Sequence, residues 1–493
     1  MHALDLAIIA AYLIGVTLIG AWFARKQATT QAYFLGDRSV PWWAIAASIV
    51  ATETSTITFI SVPGIAYARG GNFQFLQLVF GYMLGRVVIS LLFIPSYFRG
   101  DLLTVYQLLE RRFGERIKMI AATLFVVMRN IADGIRLLLT AIVLAAVYTN
   151  FRPGANADAV IVASIVLIGV VMIVFTYYGG MEAVIWIEVV QLGVYIFGAC
   201  AAAAVLIANV EGGLAGALEV GRRFGKLSVF DFSLDFTKTF TFWAGLIGGC
   251  FLTMSTHGTD QYLVQRYLCT DRPERASLAL LTSGAVVLAQ FIGFLLIGVL
   301  LFSFYRPFDD AAYASLPAAH PFAGSDQIFP HFITQHLPAG LSGLVVAAIF
   351  AAAMSSSLNS IAATAVNDLY RPFKPKQNDA HYLRVSHALT LVWGAVQIAV
   401  ALMMRHGNRT ALDQALSIAS LINGPILGVF LVGTFLRRVS ETPALVGMGV
   451  GLTTMLCVYY LTPLAWTWYV LLGSLVTFLT AWVAGRAFAG NID

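Results

Sequence analysis

Residues 47–67 read ASIVATETSTITFISVPGIAY, and residues 245–268 read GLIGGCFLTMSTHGTDQYLVQRYL. Each stretch lies in apolar sequence long enough to cross a bilayer, yet each is polar at its middle. The first carries Thr52, Glu53, Thr54, Ser55, Thr56, Thr58 and Ser61 ahead of Pro63-Gly64. The second carries Gly248, Gly249, Thr253, Ser255, Thr256, His257, Gly258 and Asp260. A helix interrupted inside hydrocarbon frees main-chain carbonyls and amides, which are tolerated only where protein, ligand or a water-filled cavity satisfies them. Small and hydroxyl residues there also permit close helix packing. Two polar runs in register, each with charged groups, point instead to a binding site in an inverted-repeat transporter.

Composition agrees. Of 493 residues, 59% are hydrophobic and 11% charged, against roughly 45–50% and about 25% in soluble domains; mean hydropathy is +0.80. These values exclude soluble enzymes, disordered chains, disulfide scaffolds and nucleic-acid binders. The net charge of +5 reads as an orientation signal. The apolar run from Leu6 to Ala24 has no basic segment before it, so it reads as a retained first helix. Cys200, Cys250, Cys269 and Cys457 have no metal-ligand spacing and are expected to be packed thiols.

With about 20 residues needed per crossing, the chain holds about 13 spans, near 5–24, 41–68, 74–98, 119–148, 158–177, 181–209, 241–267, 277–305, 339–368, 381–404, 411–436, 441–461 and 464–486. Lys and Arg, Arg266 among them, cluster in the loops that are internal if the N-terminus is outside, which predicts an N-out, C-in protein. Residues 101–116 have amphipathic spacing and are expected as a helix lying on the inner surface. Residues 211–240 and 306–337 are expected as outer lids.

The ninth span, residues 340–370, is Ala-rich and interrupted by Ser355, Ser356 and Ser357. Neutral hydroxyls and unwound carbonyls suit a hard monovalent cation such as sodium, although serines in a helix also bond back to their own carbonyls. The stretches Val40-Pro-Trp-Trp-Ala-Ile-Ala-Ala-Ser, Gly179-Gly180-Met-Glu-Ala-Val-Ile-Trp, Asp260-Gln-Tyr-Leu-Val-Gln-Arg-Tyr-Leu, Ala351-Ala-Ala-Met-Ser-Ser and Gly424-Pro-Ile-Leu-Gly-Val-Phe-Leu-Val-Gly occur in that order. With them the chain resembles, over essentially its whole length, the sodium/solute symporter family, relatives of the sodium/glucose, sodium/proline and sodium/sialic acid symporters.

The resemblance implies an all-α integral membrane protein with a LeuT-like core of two inverted five-helix repeats, 41–209 and 241–436. An extra N-terminal helix (1–30) precedes the core and two C-terminal helices (441–486) follow it. It implies a sodium site made by the carbonyls of Ala51, Thr54 and Ala352 and the hydroxyls of Ser355 and Ser356. Relatives commonly leave about three more residues between the Met-Ser-Ser motif and the next Asn-Ser, so these positions follow the upstream match. Glu188 stands where many relatives have Asp, and is a candidate for a second cation or a proton. Matching onto the sugar-carrying relatives places substrate contacts at Thr58, Gln77 and Thr253. Thr256 takes the place of a gate aromatic, which argues against a sugar stacked on a ring. Glu53 and His257 complete the expected lining.

Arg129, Asp133 and Arg136 share one helix face at i, i+4 and i+7. Arginine at bilayer depth needs an acid or a ligand, and Asp133 neutralises one of the two in a single pairing. Arg136 resembles the arginine with which sialic acid symporters hold a carboxylate, so the expected solute is a small organic anion. The expected partners are thus sodium, that solute and the lipid bilayer of the inner (plasma) membrane, with no nucleic acid and the chain acting as a monomer. The alternatives are proton coupling through Glu53, Glu188 or His257; a sugar or neutral amino-acid symporter; and a transporter-like sensor or channel. No Ser/His/Asp, HExxH or Cys/His constellation supports an enzyme.

Overall fold

The computed structural model describes residues 3–23, 29–54, 56–152, 154–305, 316–317, 319–322, 324–353, 357–406, 417 and 421–489. The regular elements among them are all helical. The main ones are α1 (Ala3–Phe23), α2 (Trp42–Glu53), α3 (Thr56–Tyr67), α4 (Leu76–Leu92), α5 (Glu115–Phe151), α6 (Ala157–Asn209), α7 (Gly249–Gly258), α8 (Gln261–Leu268), α9 (Pro273–Phe304), α10 (Leu341–Ala353), α11 (Leu358–Thr364), α12 (Asp379–Met404), α13 (Asn423–Phe435), α14 (Glu441–Leu461) and α15 (Tyr469–Ala489).

The two polar runs are where helices stop. Thr54, at φ −78° and ψ 77°, ends α2, and α3 leaves the break bent by 60° from it. In the second run α7 ends at Gly258 and Asp260 is extended at φ −90°, ψ 119°, its side chain accepting the Tyr262 amide to start α8. A wide π turn, Ala244–Gly248, precedes α7. At 1.5 Å per residue the 53-residue α6 would extend about 80 Å, far more than a bilayer. Gly180, at φ 60° and ψ −161°, divides it between the two predicted ranges.

By length and hydropathy five described helices suffice to cross a membrane, six when α2 and α3 count as one bent span. Several sequence expectations change. The surface helix foreseen over 101–116 is confined to Gln107–Arg112, because Gly114 turns the chain at φ 137° before α5 begins. The segment 211–240 forms the helix Gly213–Arg223 and then irregular chain; 306–337 forms the helix Ile328–Gln335, with 306–315 outside the described residues. Cys250 and Cys269 are packed, but Cys200 and Cys457 are exposed on their helices. Arg266 is fully buried, so it is no loop marker of orientation.

Buried apolar side chains form two main cores. One gathers Ala44 to Ile49 of α2, Ile89 of α4, Ile165 to Ile187 of α6 and Ala276 to Leu280 of α9. The other gathers Phe59 to Tyr67 of α3, Leu76 and Val79 of α4, Ala202 and Leu206 of α6 and Val287 to Phe302 of α9. Along α4 and α6 a charged side chain, Arg86 and Glu188 respectively, lies between the residues of one core and those of the other.

Candidate functional site

A cavity of about 420 Å³ lies beside the two breaks. Its walls include Glu53 from the end of α2, Thr58 from α3, Arg129 and Arg136 from α5, Thr253, Thr256 and His257 from α7, and Asp260 and Tyr262 from the second break. Six of the seven expected substrate positions therefore share one cavity. Gln77 does not: it is fully buried, donates to the carbonyls of Gln74 (3.1 Å) and Phe240 (3.2 Å), and accepts the Asp231 amide (2.9 Å). It ties α4 to the 211–240 segment, a role that a pattern of polar residues does not distinguish from solute contact.

Charged groups around the cavity are paired, as burial in a low-dielectric setting requires. The Glu53 carboxylate meets both Arg86 Nη2 and His257 Nε2 through Oε1. His257 Nδ1 lies 3.0 Å from Thr256 Oγ1. On α5, Asp133 Oδ1 is 3.1 Å from Arg129 Nη2 but 3.8 Å from Arg136 Nη1, and its Oδ2 accepts the Ser357 hydroxyl at the start of α11. Arg129 is further held 3.9 Å from Asp260 and stacks 3.8 Å from the Tyr262 ring centre. Arg136 keeps only the looser contact, and its buried Nη1 has no hydrogen-bond partner among the described residues. Arg129 Nη2 also has no hydrogen-bond partner among the described residues but lies 3.1 Å from Asp133 Oδ1, so of the two guanidiniums on the wall Arg136 is the more loosely held and the freer to meet a ligand.

Glu188 is occupied differently from the expectation of a second cation or proton. Its Oε1 is 2.5 Å from Arg266 Nη2 and 3.0 Å from the Thr52 hydroxyl, and its Oε2 accepts from Ser48. The chain's own guanidinium thus sits against the carboxylate. Arg86 and Arg266 are the residues that sequence reading missed. Arg86, the one charged residue of the range 74–98, carried the signal, because intramembrane arginine is functional by default; Arg266 was obscured by its place near the end of a predicted span.

Of the expected sodium positions, Ala51 is buried in the last turn of α2 and Thr54 forms the break itself. Ala352 lies in the last turn of α10, which packs against α3. Asp5 of α1 accepts the amides of Gly340 (2.7 Å) and Gly343 (2.8 Å), capping α10 from the N-terminal helix. Ser355 and Ser356 lie outside the described residues. No cluster of three or more His, Cys, Asp or Glu suited to a metal occurs among the described residues.

An all-helical apolar scaffold, broken at mid-length around a charged cavity, defines a multi-pass membrane transporter. The sequence pattern of the Sodium:solute symporter family matches residues 33–451, and the chain belongs to that family. It is a sodium-coupled solute symporter and not an enzyme. The sodium/sialic acid symporter NanT of Aliivibrio fischeri is 30% identical over 98% of this chain and 93% of its own length. The human sodium-coupled monocarboxylate transporter 1 is 28% identical over 92% and 73%. A substrate-bound, outward-open structure of a Na+-coupled sialic acid symporter superimposes with a TM-score of 0.87, at 29% identity, over 99% of this chain and 98% of that one. Mhp1, a nucleobase-cation-symport-1 transporter, shares the fold at a TM-score of 0.57 and 16% identity over 93% and 94%. Together these matches give the LeuT-like fold.

Proposed function

We propose that the protein imports a small carboxylate-bearing solute with one sodium ion across the plasma membrane, by alternating access in an N-out, C-in arrangement of two inverted repeats. The observation that carries the solute class is Arg136, on the cavity wall with a buried donor to spare. Guanidinium matches a carboxylate in a bidentate fork. Relatives named for sialic acid and monocarboxylates support the same class. The sodium site is read at Ala51, Thr54, Ala352, Ser355 and Ser356. One ion is proposed because Arg266 already balances Glu188.

Calorimetric titration of the detergent-solubilised protein with sugars, amino acids and carboxylates tests this. Carboxylates should bind in sodium and at least tenfold more weakly in potassium, and sodium should gain affinity by the same factor when solute is present. Arg136→Gln should abolish carboxylate binding and Arg136→Lys weaken it. Equal affinity in both salts would refute sodium coupling. Uptake that followed pH at fixed sodium would move the coupling to the Glu53–His257 contact.

A further inference from the structure

Residues 286–296 of α9 read VVLAQFIGFLL, with one amide, Gln290, in an apolar run. Gln290 lines a groove of about 300 Å³ between α6 and α9, whose other walls are hydrocarbon apart from Cys200. An amide placed there without a partner loses its hydration for nothing. Its partner is Thr54, the residue at which α2 breaks. Gln290 Nε2 lies 2.8 Å from Thr54 Oγ1 and Gln290 Oε1 lies 3.1 Å from it, while Thr54 Oγ1 is 2.7 Å from the carbonyl of Val50. A threonine hydroxyl has one hydrogen to donate. The shorter contact takes it to Val50, so Gln290 serves as donor through Nε2. The Thr54 hydroxyl is then held from both sides, back into α2 and outward to α9.

We infer that Gln290 is a positioning residue of the sodium site, fixing Thr54 so that the carbonyl freed by the break is aimed at the ion. The inference rests on the sodium reading given above. With ψ at 77° the Thr54 carbonyl is turned out of the helical direction, and a β-branched side chain clamped at Oγ1 leaves little freedom to turn it back. Gln290 does not line the solute cavity. Its effect therefore falls on sodium and reaches the solute only through coupling.

The test is sodium titration of solute binding in Gln290→Met, Thr54→Val, Thr54→Ser and the double variant Gln290→Met/Thr54→Val. Gln290→Met should raise half-saturating sodium about fivefold to tenfold, the value of one lost hydrogen bond. Solute affinity at saturating sodium should stay within about twofold of wild type. Thr54→Val should give the same shift and Thr54→Ser, which keeps the acceptor but loses the β-branch, a clearly smaller one; the double variant should be no worse than either single. Should Gln290→Met not purify folded, Thr54→Val against Thr54→Ser carries the test from the other side. Unchanged sodium affinity in Gln290→Met, or additive shifts, overturns the inference while leaving the sodium site in place. Wild-type solute binding indifferent to sodium removes the site, and the inference with it.

Discussion

Glu53 and Arg86 show how a membrane interior tolerates charge. Arg86 is fully buried, and apart from its contacts to Glu53 and His257 its Nε and Nη1 have no hydrogen-bond partner among the described residues. The pair stands because each ion screens the other. Removing one partner of a buried pair costs about 3–5 kcal/mol, whereas replacing both by neutral groups is often harmless. Arg86→Met should therefore lower the melting temperature in detergent sharply, and Arg86→Met/Glu53→Gln should recover most of the loss. A double variant as unstable as Arg86→Met would show that the arginine matters for packing rather than charge. Lys226, in the segment between α6 and α7, is buried without a carboxylate among the described residues. Its ammonium donates to the carbonyls of Ala66, Tyr67 and Ala68 at 2.8–3.0 Å. Burial pushes this lysine down to about 7, while in the unfolded chain it stays protonated to about pH 10. Between those values unfolding takes up a proton, so stability should rise with pH across that window. Lys226→Met should flatten the slope in melts recorded from pH 7 to 10.

At the scale of helices, the decisive positions are those where the backbone leaves helical geometry. Gly180 occupies φ 60°, ψ −161°, a region open essentially to glycine alone, where another residue costs of order 1–3 kcal/mol. Gly180→Ala should lower the melting temperature. Gly193→Ala, in the same helix with open space where its Cβ would go, should leave it level or raise it, since alanine favours a helix interior. Equal responses would mean that the kink is not held by Gly180. Breaks of this kind were legible in sequence because polar runs inside apolar spans have few other uses, and both chain breaks fall within the runs read for them. The cavity lining was legible for residues beside the breaks, Glu53, Thr58, Thr253, Thr256 and His257 among them. It was not legible for Gln77, because a buried amide bonded to loop carbonyls has the same local sequence as one facing a ligand. Nor were the partners of Glu53 and Glu188 legible. Arg86 and Arg266 lie 33 and 78 residues away along the chain, and which helix faces meet is settled by packing that periodicity alone does not encode.

Over the whole molecule, two hydrocarbon cores are separated by a layer of charge at the breaks, and the sum of that layer bears on energetics. Glu53, Asp133, Glu188 and Asp260 face Arg86, Arg129, Arg136 and Arg266 in mutual contacts. Four negative and four positive groups cancel when His257 is neutral. With the proposed one sodium and one monocarboxylate nothing is added to the sum, so the empty and loaded carriers would cross the membrane with the same net charge. The membrane potential, worth about 2.3 kcal/mol per charge at 100 mV, then does no net work on the cycle. A tenfold sodium gradient supplies about 1.4 kcal/mol, and hence about tenfold accumulation. The same ion with a neutral solute would reach roughly 500-fold once the potential is added. In proteoliposomes with fixed sodium and solute gradients, a valinomycin-imposed potassium potential should therefore leave initial uptake unchanged. Solute addition should evoke no steady transport current on a supported membrane. Uptake accelerated by an inside-negative potential would show that a second cation accompanies the anion, or that the solute is neutral. Glu188→Gln would separate these, since only a second cation bound at that carboxylate would lose its voltage dependence with the substitution.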